Sequence, residues 1–421
     1  AALVIGGGVA GLTAAKTLAA QGYKTYLVEK CEQLGGQARK MAETWQAGSV
    51  GPFLNDLIAD VTADENITIL LNAQVEDVDG FVGNFKTTIQ TNGESRVVEH
   101  GVTLIASGAE EFKPQDFLYG HDQRVVTGLE LQKKIKTGDG FDACCTAVFI
   151  QCVGSRIPER PYCSKVCCTG SIKSALSLKE KNPDIDIFIL YRDLRAYGLR
   201  EDLYRQAREQ GIKFIRYDND KEIGVDSAEN GLNITFTDRV LKRQMVVSTD
   251  LLILASAVVP EKTNPLAQMF KVPQNDDGFF VEAHVKLRPS DFATDGVFVC
   301  GLAHAPKPIE ESIAQAQAAA SRAVTVLAAL EVSVSGTVAL VDPNFCSSCG
   351  VCVEICPYSA PKFDEKSSKA EIQATLCKGC GLCVASCRSG AIHLKGFDTG
   401  QIMAQLKTCL LNSVAAESTF S

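Results

Sequence analysis

Histidine, tryptophan and methionine are scarce in this chain of 421 residues, which contains five, one and four of them. The histidines show no spacing typical of a metal site, and neither a P-loop nor a nucleophile-elbow pattern occurs. The sequence therefore lacks the signatures of histidine-ligated metal enzymes, P-loop nucleotide hydrolases and serine hydrolases. We interpret the histidines as ordinary core or surface residues: His100, His121, His284, His304 and His393.

Excess positive charge and long apolar runs are lacking as well. The net charge is −8 and the sequence pI is about 5.4, which argues against nucleic-acid binding and against a polybasic membrane anchor. No apolar run reaches the roughly 18 residues of a membrane span, and no signal peptide is visible. We therefore expect no membrane span and a cytoplasmic location. The chain begins at Ala1 inside a predicted strand, which is typical of a processed or truncated form.

Cysteine, by contrast, is abundant. The chain has 17 cysteines, an odd number, and most of them stand close together in the sequence. Disulfide pairing explains such close spacing poorly, whereas metal ligation explains it well. We therefore expect metal sites and a reducing compartment.

Hydrophobic and glycine patterns predict an α/β protein that contains two related nucleotide-type folds. In the first fold, a strand at 1–5, a helix at 12–21 and a strand at 25–28 surround a glycine turn. The pattern restarts with a strand at 146–153, a helix at 170–181 and a strand at 185–191. The further predicted elements are strands at 96–109, 212–217, 251–259 and 296–301 and a helix at 309–329.

The glycine turn carries the motif Gly6-x-Gly8-x-x-Gly11. In such a motif the first glycine makes the turn, the second admits a pyrophosphate, and the third lets helix and strand pack closely. The helix N-terminus offers free N–H groups to the phosphates. Glu29 ends the second strand, where a carboxylate binds a ribose hydroxyl. The motif thus indicates a dinucleotide site, and the alternative is a glycine turn without a ligand.

The cofactor is predicted to be FAD rather than NAD. A second glycine pair, Gly35-Gly36, lies where a flavoprotein contacts its cofactor, and residues 294–301 resemble the second FAD motif of two-dinucleotide flavoproteins. An aspartate usually follows that motif, but here the residue is Leu302, which leaves the contact to the ribityl chain open. The predicted cofactor-binding residues are Gly6, Gly8, Gly11, Glu29, Lys30, Gly35, Gly36, Gln37, Ala38, Ala106, Ser107, Gly108, Gly301 and Leu302.

Near the C-terminus, two four-cysteine runs repeat the bacterial ferredoxin spacing C-x₂-C-x₂-C-x₃-C. In two-cluster ferredoxins the fourth cysteine of each run ligates the other cluster. Zinc also accepts four cysteines and is the alternative, although the duplicated spacing favours [4Fe–4S] clusters. Arg388 replaces the usual proline after the second run and leaves the ligands intact. The predicted ligand sets are Cys346, Cys349, Cys352 and Cys387 for one cluster, and Cys356, Cys377, Cys380 and Cys383 for the other.

A third group of cysteines follows the strand at 146–153, where a nucleotide fold would carry its phosphate-binding glycines. Three interpretations are open: a redox dithiol, buried structural cysteines, and a further [4Fe–4S] cluster. We favour the cluster, which implies that the second fold does not bind NAD(P). Cys144 and Cys145 precede the strand and are weaker candidates, and we expect Cys31, Cys300 and Cys409 to be packing residues. The predicted ligands are Cys152, Cys163, Cys167 and Cys168.

These features predict four segments. An FAD-binding domain is formed by residues 1–115 and 285–332, and an inserted nucleotide-fold domain with the cysteine loop covers 142–260. After a linker at 331–337, a ferredoxin domain covers 337–396, and a helix and a tail follow at 397–421.

The order of these motifs, together with residues 151–156 (QCVGSR) and 161–168 (PYCSKVCC), resembles the A-subunit family of heterodisulfide reductases over nearly the whole chain. This resemblance implies a thioredoxin-reductase-like fold with a C-terminal bacterial-type 2[4Fe–4S] ferredoxin domain. It also implies an FAD that bifurcates or confurcates electrons, and it places Lys307 near the flavin N5 as the catalytic residue. His304 is the one histidine close to the predicted flavin edge. The partners that it implies are the heterodisulfide-reducing B and C subunits, a hydrogenase, formate dehydrogenase or other electron-donor subunit, ferredoxin, and a second copy of the chain.

Many family members carry an N-terminal cysteine-containing domain and an inserted ferredoxin domain after the first flavin motif. Here Arg39 leads to the strand near Ile67 without a cysteine, so we expect one electron exit to be missing or supplied by another subunit. Two other functions remain open: a relay subunit of the quinone-interacting oxidoreductase or benzoyl-CoA reductase type, and a pyridine-nucleotide–ferredoxin oxidoreductase. For three clusters we predict about twelve iron atoms with one FAD.

Overall fold

In the computed structural model, which describes residues 1–138, 144–218, 222–331, 336–364 and 366–417, the chain divides into two units, Ala1–Ala328 and Ala329–Ser421. The helices are α1 Val9–Ala19, α2 Val50–Ala63, α3 Gly128–Thr137, α4 Cys167–Lys181, α5 Glu201–Glu209, α6 Pro265–Met269, α7 Ile309–Leu327, α8 Val351–Ile355, α9 Leu382–Ser386 and α10 Thr399–Glu417.

Most strands belong to the first unit. They are β1 Ala2–Ile5, β2 Thr25–Val28, β3 Ile67–Leu70, β4 Ala73–Phe81, β5 Asn84–Thr91, β6 Glu94–His100, β7 Val102–Ile105, β8 Glu110–Glu111, β9 Val125–Thr127, β10 Thr146–Val153, β11 Asp186–Tyr191, β12 Lys213–Arg216, β13 Gly224–Ala228, β14 Gly231–Asp238, β15 Arg243–Thr249, β16 Leu251–Ser256, β17 Val258–Val259 and β18 Val297–Val299. The second unit holds β19 Ala339–Val341, β20 Pro361–Phe363, β21 Ala370–Ile372 and β22 Ile392–Leu394.

The first unit contains two five-stranded parallel sheets of matching topology. Their strand orders are β18-β7-β1-β2-β3 and β9-β16-β10-β11-β12. In both, a central strand leads through a helix to the adjacent parallel strand, as in a dinucleotide-binding fold. β1 is buried on both faces because α1 and α7 cover one side and β4–β6 lie on the other. The two related nucleotide folds that the sequence predicts are therefore present.

Each parallel sheet is accompanied by a three-stranded antiparallel sheet, β4-β5-β6 and β13-β14-β15. The sequence predicts one strand at 96–109, but the structure divides it at Gly101. β6 pairs with β5, whereas β7 pairs with β1, so the chain changes sheets at this glycine. The predicted strand at 251–259 is likewise divided, into β16 and β17.

The second unit has two similar halves. Each half contains a cysteine run that enters a five-residue helix, α8 or α9, through a glycine with positive φ, Gly350 or Gly381. A small core forms where Cys352 and Cys383 are buried with Ala339, Ala370 and Ile392. The helix predicted in the final segment is α10, whereas 418–421 and most of the predicted linker lie outside the described residues. Within the described part of the chain, every helix is too short or too polar to cross a membrane.

Candidate flavin site and thiol cavities

The glycine turn between β1 and α1 is shaped by close backbone approaches. A Cβ atom on Gly6, whose φ is +110°, would lie 2.2 Å from the Ala106 carbonyl oxygen. A Cβ on Gly11 would lie 1.8 Å from the Gly6 carbonyl oxygen. A Cβ on Gly8, in contrast, would meet nothing within 4 Å. Gly6 and Gly11 are therefore required by packing, and open space remains at Gly8, where the sequence motif predicts that a pyrophosphate approaches the N-terminus of α1.

Glu29 lies at the end of β2, where the sequence places the ribose contact. Its carboxylate is buried and accepts N–H groups from Gly7 at 2.6 Å and Cys31 at 2.8 Å. Each carboxylate oxygen has a second lone pair. Glu29 thus fixes the glycine turn and keeps acceptor capacity for a ribose hydroxyl, while the neighbouring Lys30 is exposed.

The second glycine pair packs directly on the first turn. The Gly35 N–H donates to the Gly7 carbonyl at 2.7 Å, and a Cβ on Gly36 would lie 3.2 Å from the Gly8 Cα. Ala38 is buried beside them. Among the described residues, the buried Oε1 of Gln37 has no hydrogen-bond partner. An unpaired acceptor at this position fits a pocket that is completed by a polar ligand.

The remaining predicted cofactor residues come from β7 and β18, which are neighbours in the same sheet as β1. Ala106, Ser107 and Gly108 follow β7, and Gly108 has a φ of +80° with open space at its Cβ position. A Cβ on Gly301 would lie 2.7 Å from the Cβ of Ala10 on α1. Leu302, where many flavoproteins have aspartate, is half-buried. The fold therefore brings these predicted residues to the carboxyl edge of one sheet.

Lys307 is buried, with 8% of its surface exposed. Its Nζ atom lies 3.1 Å from the Gly301 carbonyl oxygen, 3.1 Å from Nδ1 of His304, and 2.5 Å from Oε1 of Gln315. Burial lowers the pKa of Lys307 to about 8, and the charge of Lys165 acts in the same direction. The structure therefore holds this amine beside Gly301 with a pKa close to neutral pH.

His304 joins Lys307 to a carboxylate. Its Nε2 lies 2.8 Å from Oε2 of Glu282, and its Nδ1 lies 2.9 Å from Nε2 of Gln315. Burial lowers the pKa of His304, and the charge of Lys307 adds to this. Burial alone would raise the pKa of Glu282, but the hydrogen bond with His304 and the charges of His304 and Lys307 bring it below its usual value. The sequence gives no signal for Glu282 or Gln315, which are distant from His304 along the chain.

Cys152, near the end of β10, and the three cysteines that follow this strand line one cavity with about 270 Å³ of space, part of it open to solvent. Burial raises the pKa of Cys167 well above its usual value and that of Cys168 to about 11, and the charges of the neighbouring thiols add to both. The Lys165 N–H lies 3.3 Å from the sulfur of Cys163. The side chains that line the cavity belong to Cys152, Ser155, Arg156, Cys163, Ser164, Lys165, Cys167, Cys168, Asp193 and Arg195.

Four buried polar atoms, which belong to residues within the cysteine loop or adjacent to it in sequence, lack hydrogen-bond partners among the described residues, and of their side chains that of Arg156 lines the cavity. They are Nη1 of Arg156, Oγ1 of Thr169 and both amide atoms of Gln151, which is fully buried. Buried polar atoms in native proteins are normally paired, so unpaired ones point to a missing group. Burial raises the pKa of Cys152, and the charges of Arg156 and Arg192 oppose this rise. Thiolates bound to iron would receive the same electrostatic support, and the donor set fits a cysteine-ligated cluster.

A charged residue of the cysteine loop affects the pKa values of His304 and Lys307. Lys165, between Cys163 and Cys167, lowers the pKa of both His304 and Lys307 by its charge, in addition to the effect of burial. The Ser164 hydroxyl accepts the Val258 N–H at 2.9 Å, which fixes the loop to the strand pair β17–β8. The charge of Lys165 in the cysteine loop therefore acts on the Lys307 amine.

In the second unit, the thiols group across the two sequence runs. One cavity is lined by Cys356, Cys377, Cys380 and Cys383, and burial together with the charges of the other three raises the pKa of Cys383 to about 11. A second group contains Cys346, Cys349 and Cys352. Burial raises the pKa of Cys352, and the charges of Cys346 and Cys349 add to this rise.

Cys387 belongs to this second group. The pKa of Cys349 is lowered mainly by the backbone N–H of Val351, while the charge of Cys387 acts in the opposite direction. Both groupings are those that crossed ferredoxin ligation requires. Among the described residues, no three His, Cys, Asp or Glu side chains lie close enough together to hold a single metal ion.

The cysteines outside the three groups differ in how far they are buried. Cys300 is fully buried and Cys144 is buried, with its sulfur 3.5 Å from the Thr146 carbonyl oxygen. Cys31 and Cys409 are exposed, so the expectation that they are packing residues is wrong. The physical reason is local: Cys31 follows the end of β2 in a turn, and Cys409 lies on the exposed helix α10.

Comparisons with known proteins agree with this architecture. Residues 1–141 match the family model of pyridine nucleotide-disulphide oxidoreductases, and residues 345–391 match that of 4Fe-4S dicluster domains. The solved thioredoxin reductase of T. acidophilum superposes with a TM-score of 0.56, at 14% identity, over 78% of this chain and 98% of its own. The thioredoxin reductase of Lactococcus lactis superposes with a TM-score of 0.55, at 17% identity, over the same shares of the two chains. The thioredoxin-reductase-like fold is confirmed.

The curated relatives are similar over more of the chain. Identity is 32% to the A subunit of the H2:CoB–CoM heterodisulfide, ferredoxin reductase of Methanothermobacter marburgensis, over 97% of this chain and 76% of the relative. Identity is 34% to the second iron–sulfur A subunit of the CoB–CoM heterodisulfide reductase of Methanopyrus kandleri, over 87% of this chain and 70% of that relative. The first alignment spans 505 residues against the 421 of this chain, so that relative carries internal residues which this chain lacks. This chain belongs to the A-subunit family of heterodisulfide reductases and is an electron-transferring oxidoreductase subunit of the flavin and [4Fe–4S] type.

Proposed function

We propose that this chain exchanges electron pairs at one FAD for single electrons at three [4Fe–4S] clusters, and that it bifurcates or confurcates electrons in a heterodisulfide-reductase-type complex. A flavin accepts or gives two electrons, together or singly, whereas each cluster carries one. The observation that carries the proposal is the cavity lined by Cys152, Cys163, Cys167 and Cys168, which lies between β10 and α4 in the second nucleotide fold.

The FAD is held, in this proposal, by the glycine turn, Glu29 and the Gly35-Gly36 pair. Open space at Gly8, the unpaired acceptor of Gln37 and the free lone pairs of Glu29 support this assignment. Lys307 lies beside Gly301 and supplies a positive charge at the flavin edge, which favours the reduced anionic ring.

The third cluster is held by Cys152, Cys163, Cys167 and Cys168. Its cavity occupies the place of the phosphate-binding turn in the second nucleotide fold, directly after β10. Arg156 and Arg195, which line this cavity, then face thiolates rather than nucleotide phosphates. We therefore propose that the second fold does not bind NAD(P).

The partners follow from the family. The relatives are named as parts of reductases of CoB–CoM heterodisulfide and ferredoxin, with H2 or formate as donor in some names. We propose that heterodisulfide-reducing B and C subunits, an electron-donor subunit such as hydrogenase or formate dehydrogenase, ferredoxin and a second copy of this chain are its partners. A reducing cytoplasm suits the exposed thiols Cys349 and Cys380.

Flavin potentiometry on the anaerobically purified chain tests this function. Bifurcation requires the second one-electron step to lie at a higher potential than the first, and this crossed order is the expected result. Two uncrossed steps would support a simple relay subunit instead. Oxidation of NAD(P)H by the isolated chain would contradict the proposed loss of nucleotide binding and support a pyridine-nucleotide–ferredoxin oxidoreductase.

A further inference from the structure

Lys307 is buried, whereas His304, which it contacts, and Glu282, which contacts His304, reach solvent with 20% and 17% of their side chains exposed. We propose that Glu282 and His304 form a two-way proton path between solvent and the Lys307 amine, by which the flavin loses its proton on oxidation and regains it on reduction. This inference rests on the proposed flavin site beside Lys307.

The contacts of Lys307 leave one route for a proton. Its Nζ atom is within hydrogen-bond distance of the Gly301 carbonyl, Oε1 of Gln315 and Nδ1 of His304. A carbonyl and an amide oxygen accept hydrogen bonds but do not take up protons near neutral pH, whereas an imidazole does. His304 is therefore the contact that transfers a proton to or from this amine.

The tautomer of His304 is set by the surrounding donors. Oε1 of Gln315 accepts the Gly301 N–H at 3.1 Å, which orients the amide so that its NH₂ group faces Nδ1 of His304 at 2.9 Å. Nδ1 thus accepts from Gln315 and from Lys307, and the ring hydrogen lies on Nε2. Nε2 in turn donates to Glu282 at 2.8 Å. This tautomer is ready to accept a proton from Lys307 and to pass one to Glu282.

The direction of transfer follows from the flavin chemistry. With a flavin bound beside it, charged Lys307 would give one proton to Nδ1 of His304 and take up the one proton that two-electron oxidation of the reduced anionic ring supplies, so that its own charge is kept. Nε2 of His304 would give its proton to Glu282, which passes it to water. On reduction the sequence reverses: Glu282 delivers a proton to Nε2, and Nδ1 returns one to Lys307. Each redox cycle thus restores the original tautomer.

The charges around the path favour release of the proton from Lys307. The groups that face Lys307 are the Cys300 thiol, Lys165, Glu311 and Glu282, and those that face His304 are Lys307, Lys165 and Glu282. Lys165 repels a proton at both positions, and Glu282 attracts it at the outer end. Burial brings the pKa of Lys307 to about 8, so both of its protonation states are accessible near neutral pH.

Stopped-flow spectroscopy on the full chain, purified anaerobically with its flavin, tests this path. Reduced protein is mixed with ferricenium, which accepts electrons but no protons, in weak buffer containing a pH-indicator dye. In the unaltered chain, dye protonation should keep pace with flavin oxidation. In His304→Gln and Glu282→Gln it should lag by about tenfold or more. Added imidazole should restore fast proton release in the His304→Ala variant. If His304 had only a structural role, imidazole would not restore it.

His284→Gln and Glu261→Gln are matched controls, because they remove the same groups from exposed positions outside the path, and both should release protons as the unaltered chain does. Unchanged proton release in His304→Gln with a normal flavin content would overturn the proton path alone. A flavin spectrum insensitive to Lys307→Gln would instead contradict the proposed position of the flavin beside Lys307.

Discussion

Cys356 and Cys383 line the same cavity although they belong to different cysteine runs. The same crossing brings Cys387 to the thiols of the first run, as its effect on Cys349 shows. This exchange of the fourth thiol ties the two halves of the second unit together, because each cluster site needs residues from both.

Replacement of Cys356 should therefore remove the cluster of the other run. In Cys356→Ser, the site of Cys377, Cys380 and Cys383 keeps three thiols, and we expect a loss of about four iron atoms. Iron analysis with electron paramagnetic resonance of the reduced protein measures this, since magnetic coupling between the two clusters should vanish with the lost one. Cys409→Ser, on the exposed face of α10, is the control. Full iron content in Cys356→Ser would contradict the crossed assignment.

Because the space at Gly8 is open, we expect a side chain there to weaken FAD binding with little effect on stability. Gly8→Ala places a methyl group where the pyrophosphate is proposed to lie, without touching another described atom. FAD affinity should fall about tenfold or more, while the free energy of unfolding of the flavin-free protein changes by about 1 kcal/mol, since Gly8 is the N-cap of α1. Flavin fluorescence titration and denaturant unfolding measure the two effects. Gly128→Ala, also in open space, should leave FAD affinity unchanged.

Arg156 should raise the reduction potential of the loop cluster. Its Nη1 atom is unpaired among the described residues and its side chain lines the thiol cavity, so it stabilises the more negative, reduced cluster. In Arg156→Gln the reduction equilibrium should shift about tenfold toward the oxidised cluster, a fall of about 59 mV for one electron. Redox titration followed by electron paramagnetic resonance measures it. Arg205→Gln, on the exposed helix α5, should not alter the potential.

Because of Lys307, we expect the reduction potential of the flavin to depend on pH. Burial lowers its pKa to about 8, so the positive charge is present below this pH and is lost as the pH rises through it. The flavin potential should thus fall more steeply above about pH 8, because the reduced anion loses its partner. Lys307→Gln should show a lower potential below pH 8 and converge with the unaltered chain above it. Parallel curves over the whole range would exclude this role of Lys307.

The sequence predicts the parts of the fold whose geometry is encoded locally. The bounds of β2 at Thr25–Val28 and of β10 at Thr146–Val153 are those predicted, because each is an apolar run ended by polar or glycine residues. Both helices that follow the key turns begin earlier than predicted, α1 at Val9 and α4 at Cys167. Their first turns contain Gly11 or Cys167 and Cys168, which serve packing or are proposed ligands, and these turns lack helical hydrophobic periodicity.

Contacts between distant segments are not predictable in this way. Glu282 and Gln315 reach His304 from either side of it along the chain, and only the fold brings them together. Lys165 is part of the quoted cysteine motif, but its effect on Lys307 depends on how the second nucleotide fold packs against the first. The motif residues identify the family, whereas the polar groups that tune them are found only in three dimensions.

The proposed third cluster lies in the loop that ends at Cys168, next to the proposed flavin site. Iron and FAD content of the anaerobically purified chain, compared with that of Cys167→Ser, tests it most directly. We expect about twelve iron atoms and one FAD for the unaltered chain, and about eight iron atoms after Cys167→Ser. About eight iron atoms in both proteins, with the four loop thiols open to alkylation, would contradict it.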